Sequence, residues 1–133
     1  MSEDDSRMVC IVDDDASLRR SLRNLLTSVG FRVETFPSAP AFLESVPRHN
    51  VGCMVLDLRM EGMSGLQLLR SLSAAGSLVP VIILTAHGDD ETRQRTLQAG
   101  AVAFLTKPVQ SAVLVDTVRA ALSATRERST GRH

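Results

Sequence analysis

Apolar runs alternate along the chain with segments whose apolar positions recur at the period of an α-helix. Most of these apolar runs are continuous, which is typical of strands covered on both faces of a sheet. Strand, helix, strand in repetition predicts a doubly wound α/β domain with a parallel sheet of five strands and five helices. The predicted strands are Met8–Val12, Phe31–Phe36, Gly52–Asp57, Pro80–Thr85 and Ala101–Thr106.

The helices between these strands carry recognisable starts and ends. Ser38 and Ser64 are candidate helix caps, and glycines are expected to end the first, third and fourth helices. The first helix is predicted to bury one apolar face, made of Leu18, Leu22, Leu25, Leu26 and Val29. Asp89–Ala99 offers little beyond Leu97 to a core, so we expect either a weakly packed, movable helix or an ordinary solvated one. The last helix is predicted over Ser111–Thr125.

Polar residues follow four of the predicted strands where each strand ends. The triplet Asp13-Asp14-Asp15 follows the first strand, Asp57 and Thr85 end the third and fourth, and Lys107 follows the fifth. Because right-handed crossovers bring the carboxyl ends of parallel strands to one edge of the sheet, these groups are expected to converge. Paired carboxylates are ligands that Mg²⁺ accepts together with water and phosphate oxygens. The sequence therefore predicts a divalent-cation site at this edge.

Composition limits the classes of function. The 133 residues are 44% hydrophobic and carry a formal net charge of zero, so one compact domain is expected without a global attraction to nucleic acid or membrane. No apolar run is long enough to cross a bilayer, and the short acidic Met1–Arg7 is unlike a secretory signal, which favours the cytoplasm. Cys10 and Cys53 lie in predicted strands and are expected to be small buried hydrophobes.

These residue types suit phosphoryl transfer to a carboxylate. Asp57 would attack phosphorus, a cation held by Asp13, Asp14 and Asp57 would bridge phosphoryl oxygens, Lys107 would neutralise another oxygen, and Thr85 would donate its hydroxyl. The Lys107–Pro108 peptide bond is a candidate cis bond.

The chain resembles the receiver domains of bacterial response regulators over about residues 8–124. The resemblance is carried by Ile11-Val12-Asp13-Asp14, Asp57-Leu58-Arg59-Met60, Met63-Ser64-Gly65, Thr85-Ala86, Gly100-Ala101 and Lys107-Pro108, with a FixJ-like character in the second run and in Thr85-Ala86-His87-Gly88. It implies a flavodoxin-like sheet in the order 2-1-3-4-5.

The same resemblance implies a role for each site residue. Asp57 would be the phosphoacceptor, and Mg²⁺, or Mn²⁺ in its place, would bind the acidic pair Asp13 and Asp14, Asp57 and the backbone carbonyl of Arg59. The switch residues would be Thr85 and Phe104, and Lys107 would bind the phosphoryl group. Asp15 has no metal-binding role in this family, and we expect it to cap the first helix.

Two positions depart from the family pattern. Glu61 stands where proline is usual, which adds a negative charge near the metal, and Val109 replaces a common phenylalanine. Arg59 and His87, each two residues past a site residue, are expected to shape the access of water to the phosphoryl group, although an exposed loop histidine is an equal interpretation for His87.

The resemblance also implies partners and a domain plan. Residues 1–125 would form the receiver, and 126–133 a flexible tail or the start of a linker to an output domain. A sensor histidine kinase would be the phosphodonor. Phosphorylation would repack the face made by the fourth helix, fifth strand and fifth helix, and this face would then bind a second copy of the chain or an output domain. DNA would be contacted only through that output domain, and no membrane contact is expected.

Three other functions remain open from the residues alone. A phosphohydrolase of the haloacid dehalogenase type would need an acid/base Asp two residues after the nucleophile, where this chain has Arg59. A nucleotide or flavin module would need a phosphate-cradling loop where Asp13-Asp14-Asp15 stands. A pseudo-receiver that acts as an interaction module without phosphorylation is favoured only by Glu61.

Overall fold

In the part of the chain that the structure describes, five parallel strands form one sheet in the order β2-β1-β3-β4-β5, with four helices joining them and a fifth after the last strand. A computed structural model describes residues 8–45 and 51–130, with side chains described as far as residue 124. The strands are β1 Met8–Val12, β2 Arg32–Phe36, β3 Val51–Leu56, β4 Val81–Thr85 and β5 Ala103–Thr106. The helices are α1 Ala16–Ser28, α2 Ala39–Glu44, α3 Gly65–Ala74, α4 Asp90–Gln98 and α5 Ser111–Thr130. The predicted fold class and strand order are confirmed.

The central strands are buried on both faces, as their continuous apolar composition predicts. Every residue of β3 and β4 is buried, and two apolar clusters form, one on each face of the sheet. Alternation along β1 sends Cys10 to one cluster and its neighbours Val9 and Ile11 to the other. Cys53 lies in the cluster opposite to that of Cys10, so the two thiols are separate buried hydrophobes, as predicted.

The helix caps follow the sequence signals. The Asp15 carboxylate accepts hydrogen bonds from the backbone N–H groups of Ser17 and Leu18, which confirms its capping role. Ser64 caps α3 in a reciprocal capping box with Gln67. Ser38 caps α2 by accepting from the N–H of Ala41.

Two helix ends differ from the prediction. Val29 is the C-terminal cap of α1 rather than part of its buried face, and 39% of its surface is exposed because the helix ends at Ser28. Helix α5 continues to Thr130, beyond the predicted end at Thr125, because Arg and Glu favour helix and no Gly or Pro intervenes before Gly131. The predicted end of the last helix is corrected, whereas the flexible tail or linker over 126–133 and the domain boundary at residue 125 stay predictions.

Helix α4 is the most polar helix, as its sequence indicates. Its only buried residue is Thr96, and Leu97 is partly buried against the core. Within the described ranges, no helix is both long enough and apolar enough to span a bilayer. The predictions made for residues 1–7 and 131–133 lie outside the described residues.

Candidate functional site

The strand order places β1 and β3 side by side where the chain reverses direction across the sheet, the position at which doubly wound folds bind ligands. Asp13 follows β1 and Asp57 follows β3, and the backbone N–H of Asp57 donates to the carbonyl of Val12 at 3.0 Å. On the other side of β3, the backbone N–H of Lys107 donates to the carbonyl of Thr85 at 2.8 Å. The sheet therefore gathers all four predicted strand-end groups at one edge.

Asp13 is buried and held on several sides. One carboxylate oxygen accepts from the backbone N–H of Asp15 at 2.9 Å, and the other accepts from the Lys107 ammonium at 2.9 Å. The backbone N–H of Asp13 donates to the carbonyl of Phe36, and the backbone carbonyl of Asp13 accepts from Arg19 Nη1 at 2.8 Å. This many contacts fixes the orientation of a carboxylate that is only 3% exposed.

Lys107 lies between two buried carboxylates. Its Nζ atom is 2.9 Å from Asp13 Oδ2 and 3.6 Å from Asp57 Oδ2. Burial lowers the pKa of the lysine, but its hydrogen bond and charge attraction to Asp13, together with Asp57, outweigh burial, so the net pKa is raised. Lys107 is therefore a fixed positive charge at the site, and the peptide bond that follows it is cis.

Asp57 is buried and electrostatically crowded. Burial raises the pKa of its carboxyl group, and the negative charge of Asp13 raises it further. The Lys107 charge, a hydrogen bond from the Arg59 backbone N–H and one from the Thr85 hydroxyl act in the opposite direction but leave the pKa above its ordinary value. The ionised form of Asp57 is thus less stable than a solvated carboxylate and favours a cationic or electrophilic partner.

The carboxylates fit a divalent cation. Asp13, Asp14 and Asp57 each offer an oxygen, and these oxygens lie within 4.8 Å of one another. Carboxylate oxygens are the donors that Mg²⁺ prefers, and an open side leaves room for the waters it retains. Asp14 is exposed and supplies that open side, whereas Asp13 and Asp57 are buried. The donor set, its charge and its partial exposure suit the predicted metal.

A groove of about 750 Å³ opens beside these carboxylates, between the loop after β3 and helix α4. Asp14, Arg59, Glu61 and His87 all line it. The groove therefore places Glu61, one of the two residues that depart from the family pattern, on the same surface as Arg59 and His87, which are predicted to control access. Their effect on water and metal stays a prediction.

Thr85 and Phe104 lie on adjacent strands below the loop that joins β4 to α4. Thr85 is fully buried, and its hydroxyl accepts from the backbone N–H of His87 at 3.3 Å. Phe104 is half-buried. A Cβ atom added to Gly88 would collide with the Thr106 methyl group and press on the Phe104 ring, so this loop lies directly on β5. The loop that follows Thr85 therefore lies against both Thr106 and the ring of Phe104.

Sequence reasoning missed two contacts of the site. Arg19 binds the Asp13 carbonyl, and the amide of Asp15 binds the Asp13 carboxylate. Hydrogen bonds to backbone atoms leave no signal in the pattern of side chains. The one available signal was the position of Arg19 in the first turns of a helix that begins at the acidic triplet. Gly65 belongs to a run that carries the family resemblance, and a Cβ atom at this position would collide with the Asp57 carbonyl oxygen.

The chain belongs to the response regulator receiver domain family, whose model matches residues 9–119. It is 45% identical over 119 residues to the transcriptional regulatory protein TdiR of Thauera aromatica, covering 90% of this chain and 52% of that protein. It is 40% identical over 114 residues to the transcriptional regulatory protein FixJ of Bradyrhizobium diazoefficiens, covering 86% of this chain and 56% of that one. The chain thus spans about half the length of the curated relatives it matches.

Solved structures agree with the family. The response regulator StyR superposes with a TM-score of 0.86 at 45% identity, over 95% of this chain and 64% of that one. The FixJ-N structure gives a TM-score of 0.81 at 39% identity, over 92% of this chain and 96% of that one. The predicted family and its FixJ-like character are confirmed, and the chain is a receiver domain of the response regulators of two-component signalling.

Proposed function

We propose that this receiver accepts a phosphoryl group on Asp57 in a reaction that depends on Mg²⁺, or on Mn²⁺ in its place. The observation that supports this most strongly is the position of Lys107 Nζ, 2.9 Å from Asp13 and 3.6 Å from Asp57, at the edge of a cluster of three carboxylates. Three carboxylates with one fixed cation are short of positive charge. A divalent metal and an incoming phosphorus atom would both supply what the site lacks.

The chemistry assigns one task to each residue. An Asp57 oxygen forms the new bond to phosphorus, and the bond from phosphorus to the donor nitrogen or oxygen breaks, with its electron pair leaving on the donor. When bound, Mg²⁺ neutralises charge on the phosphoryl oxygens. Asp14, Asp57 and the Arg59 carbonyl would hold the metal, and Asp13 would hold Lys107 in place. Lys107 would then neutralise a phosphoryl oxygen as a compact point charge.

The switch follows from the same contacts. A phosphoryl group adds about −1.5 to −2 of charge at pH 7 and three acceptor oxygens. The Thr85 hydroxyl, which already bonds to Asp57, would turn to a phosphoryl oxygen and release the His87 amide. The loop over β5 and the ring of Phe104 would then repack the face of α4, β5 and α5. A few kcal/mol of differential contact suffices to shift such an equilibrium.

The partners follow from family membership. The donor would be a sensor histidine kinase in the cytoplasm, and the repacked face would bind a second copy of the chain or an output domain. Because the relatives TdiR and FixJ are transcriptional regulatory proteins about twice as long as the match, DNA would be reached through such an output domain. The chain would turn over no substrate, since Arg59 cannot serve as the general acid that a phosphohydrolase places there.

Intact-protein mass spectrometry tests the proposal. Incubation with Mg²⁺ and a small acyl phosphate is expected to add the mass of one phosphoryl group, and chelation of the metal is expected to abolish the addition. Asp57→Ala should take up none, while Asp116→Ala, the same change at an exposed carboxylate on α5, should react as the unaltered protein does. Normal uptake by Asp57→Ala would refute the assignment, and no uptake by the unaltered protein would favour the pseudo-receiver.

A further inference from the structure

Arg19 reaches from helix α1 into the loop that carries the acidic residues. Its Nη1 atom donates to the backbone carbonyl of Asp13 at 2.8 Å, and the side chain is half-buried. A hydrogen bond from a charged donor is stronger than one between neutral groups. This contact distinguishes Arg19 from the next residue along the helix, Arg20, whose side chain is exposed.

The carbonyl that Arg19 binds belongs to the peptide group joining Asp13 to Asp14. A peptide group is planar, so the Asp13 carbonyl oxygen, the Asp14 nitrogen and the Asp14 Cα atom lie in one plane. Holding the oxygen restrains the rotation of that plane and so the position of the Asp14 Cα atom, from which the carboxylate extends. Asp14 is exposed, so packing around its carboxylate restrains it little, and the position of its backbone is the restraint that the protein supplies.

The residues on either side of Asp14, Asp13 and Asp15, are fixed by other contacts. The Asp13 carboxylate is held by Lys107 and by the Asp15 amide, and the Asp15 carboxylate caps α1. Those bonds fix the side chains of Asp13 and Asp15. The rotation of the peptide group that joins Asp13 to Asp14 is restrained by the Arg19 contact. The guanidinium also brings a positive charge to a loop with three consecutive carboxylates.

We propose that Arg19 is a positioning residue for the cation site: it orients the Asp13–Asp14 peptide group and thereby points the Asp14 carboxylate toward the shared metal position beside Asp57. This inference rests on the proposed function, because it gives Asp14 the role of a metal ligand. Arg19 itself touches neither the metal nor the phosphoryl group. Residues that orient metal ligands typically change metal affinity by about 10–100-fold when they are altered.

Three variants test the role of Arg19. Arg19→Met keeps the length of the side chain and removes every donor, Arg19→Lys keeps the charge but loses the planar guanidinium, and Arg20→Met is the matched control on the same helix. Mg²⁺ is titrated directly and followed by the amide NMR signals of the loop. We expect Arg19→Met to bind Mg²⁺ about tenfold more weakly, Arg19→Lys to fall in between, and Arg20→Met to stay within about twofold of the unaltered protein.

Two further readouts separate positioning from folding. Without metal, ¹⁵N relaxation should show greater motion of the Asp14 amide in Arg19→Met than in Arg20→Met. In phosphorylation assays, Arg19→Met should need more Mg²⁺ for half-maximal rate and reach a normal rate when Mg²⁺ saturates. Arg19→Lys serves as the readout if Arg19→Met does not fold.

Each result decides a different claim. Unchanged Mg²⁺ affinity in folded Arg19→Met, with normal binding by the unaltered protein, overturns the role of Arg19 and leaves the proposed function standing. A low rate that saturating Mg²⁺ does not restore also overturns it. Failure of the unaltered protein to bind Mg²⁺ overturns the proposed function together with this inference.

Discussion

Replacing Asp57 with asparagine should stabilise the metal-free protein, because this substitution removes one charge from a crowded site. An Asp57 oxygen lies within 4.8 Å of an oxygen of Asp13 and of one of Asp14. The repulsion between two carboxylate charges at that distance is worth about 3.5 kcal/mol at an effective dielectric constant of about 20. The attraction of Lys107 at 3.6 Å returns about 4.6 kcal/mol on the same basis. Two repulsions therefore exceed one attraction by about 2 kcal/mol.

Two corrections act on this figure in opposite directions. Asp14 is exposed, so solvent screens its share of the repulsion, whereas the cost of burying the Asp57 charge adds to the penalty. We expect the free energy of unfolding of Asp57→Asn to be higher by about 1–2 kcal/mol at pH 7 without metal. The raised pKa of Asp57 gives the same sign, since an acid whose pKa is higher in the folded state destabilises that state once it is ionised.

Urea unfolding with a chelator, and again with Mg²⁺, measures the effect. The stability of the unaltered protein should fall as pH rises from the ordinary range of Asp through the raised pKa of Asp57, and Asp57→Asn should lack that fall. Mg²⁺ should stabilise the unaltered protein far more than the variant, since ligand binding stabilises only a state that binds. Asp116→Asn is the control. A metal-free Asp57→Asn that is no more stable than the unaltered protein would refute the reasoning.

Three other predictions concern the framework of the site. Ser64→Ala removes the cap of α3 and should lower the free energy of unfolding by about 1 kcal/mol in urea titrations, and an unchanged value would contradict the capping box. Gly88→Ala should push the loop off the Thr106 methyl group and shift the NMR signals of β5 residues even without phosphorylation; unchanged signals would show that the loop does not press on β5. Cys10 and Cys53 should resist alkylation in the native protein at pH 8, because burial raises the pKa of each thiol to about 12, and rapid modification followed by mass spectrometry would contradict that burial.

The hydrophobic pattern predicted the fold class because each central strand must bury both faces, whereas the strand order was implied by the family resemblance. The continuous runs at β1, β3 and β4 admit few arrangements other than a covered parallel sheet, and the parallel sheet brings strand ends together. The capping residues Asp15, Ser38 and Ser64 were likewise predictable, because a cap is a local feature of the sequence.

The contacts that orient the site were not predictable in the same way. The bond from Arg19 to the Asp13 carbonyl involves a backbone atom, and the close approach of Gly88 to Thr106 depends on how a loop lies across β5. The length of α5 also escaped prediction, because polar residues with good helix propensity fit a helix and a linker equally well. The periodicity of apolar residues reflects burial, so it does not predict polar contacts to the backbone or the length of solvated helix turns.

The central claim is that Asp57, rather than Asp13 or Asp14, becomes phosphorylated. Borohydride reduces an aspartyl phosphate to homoserine, so treatment of the phosphorylated protein followed by peptide mass spectrometry reports the position directly. We predict homoserine at position 57 when Mg²⁺ and the phosphodonor are both present, and none when the metal is chelated. Homoserine at position 13 or 14, or equal modification without Mg²⁺, would contradict the account.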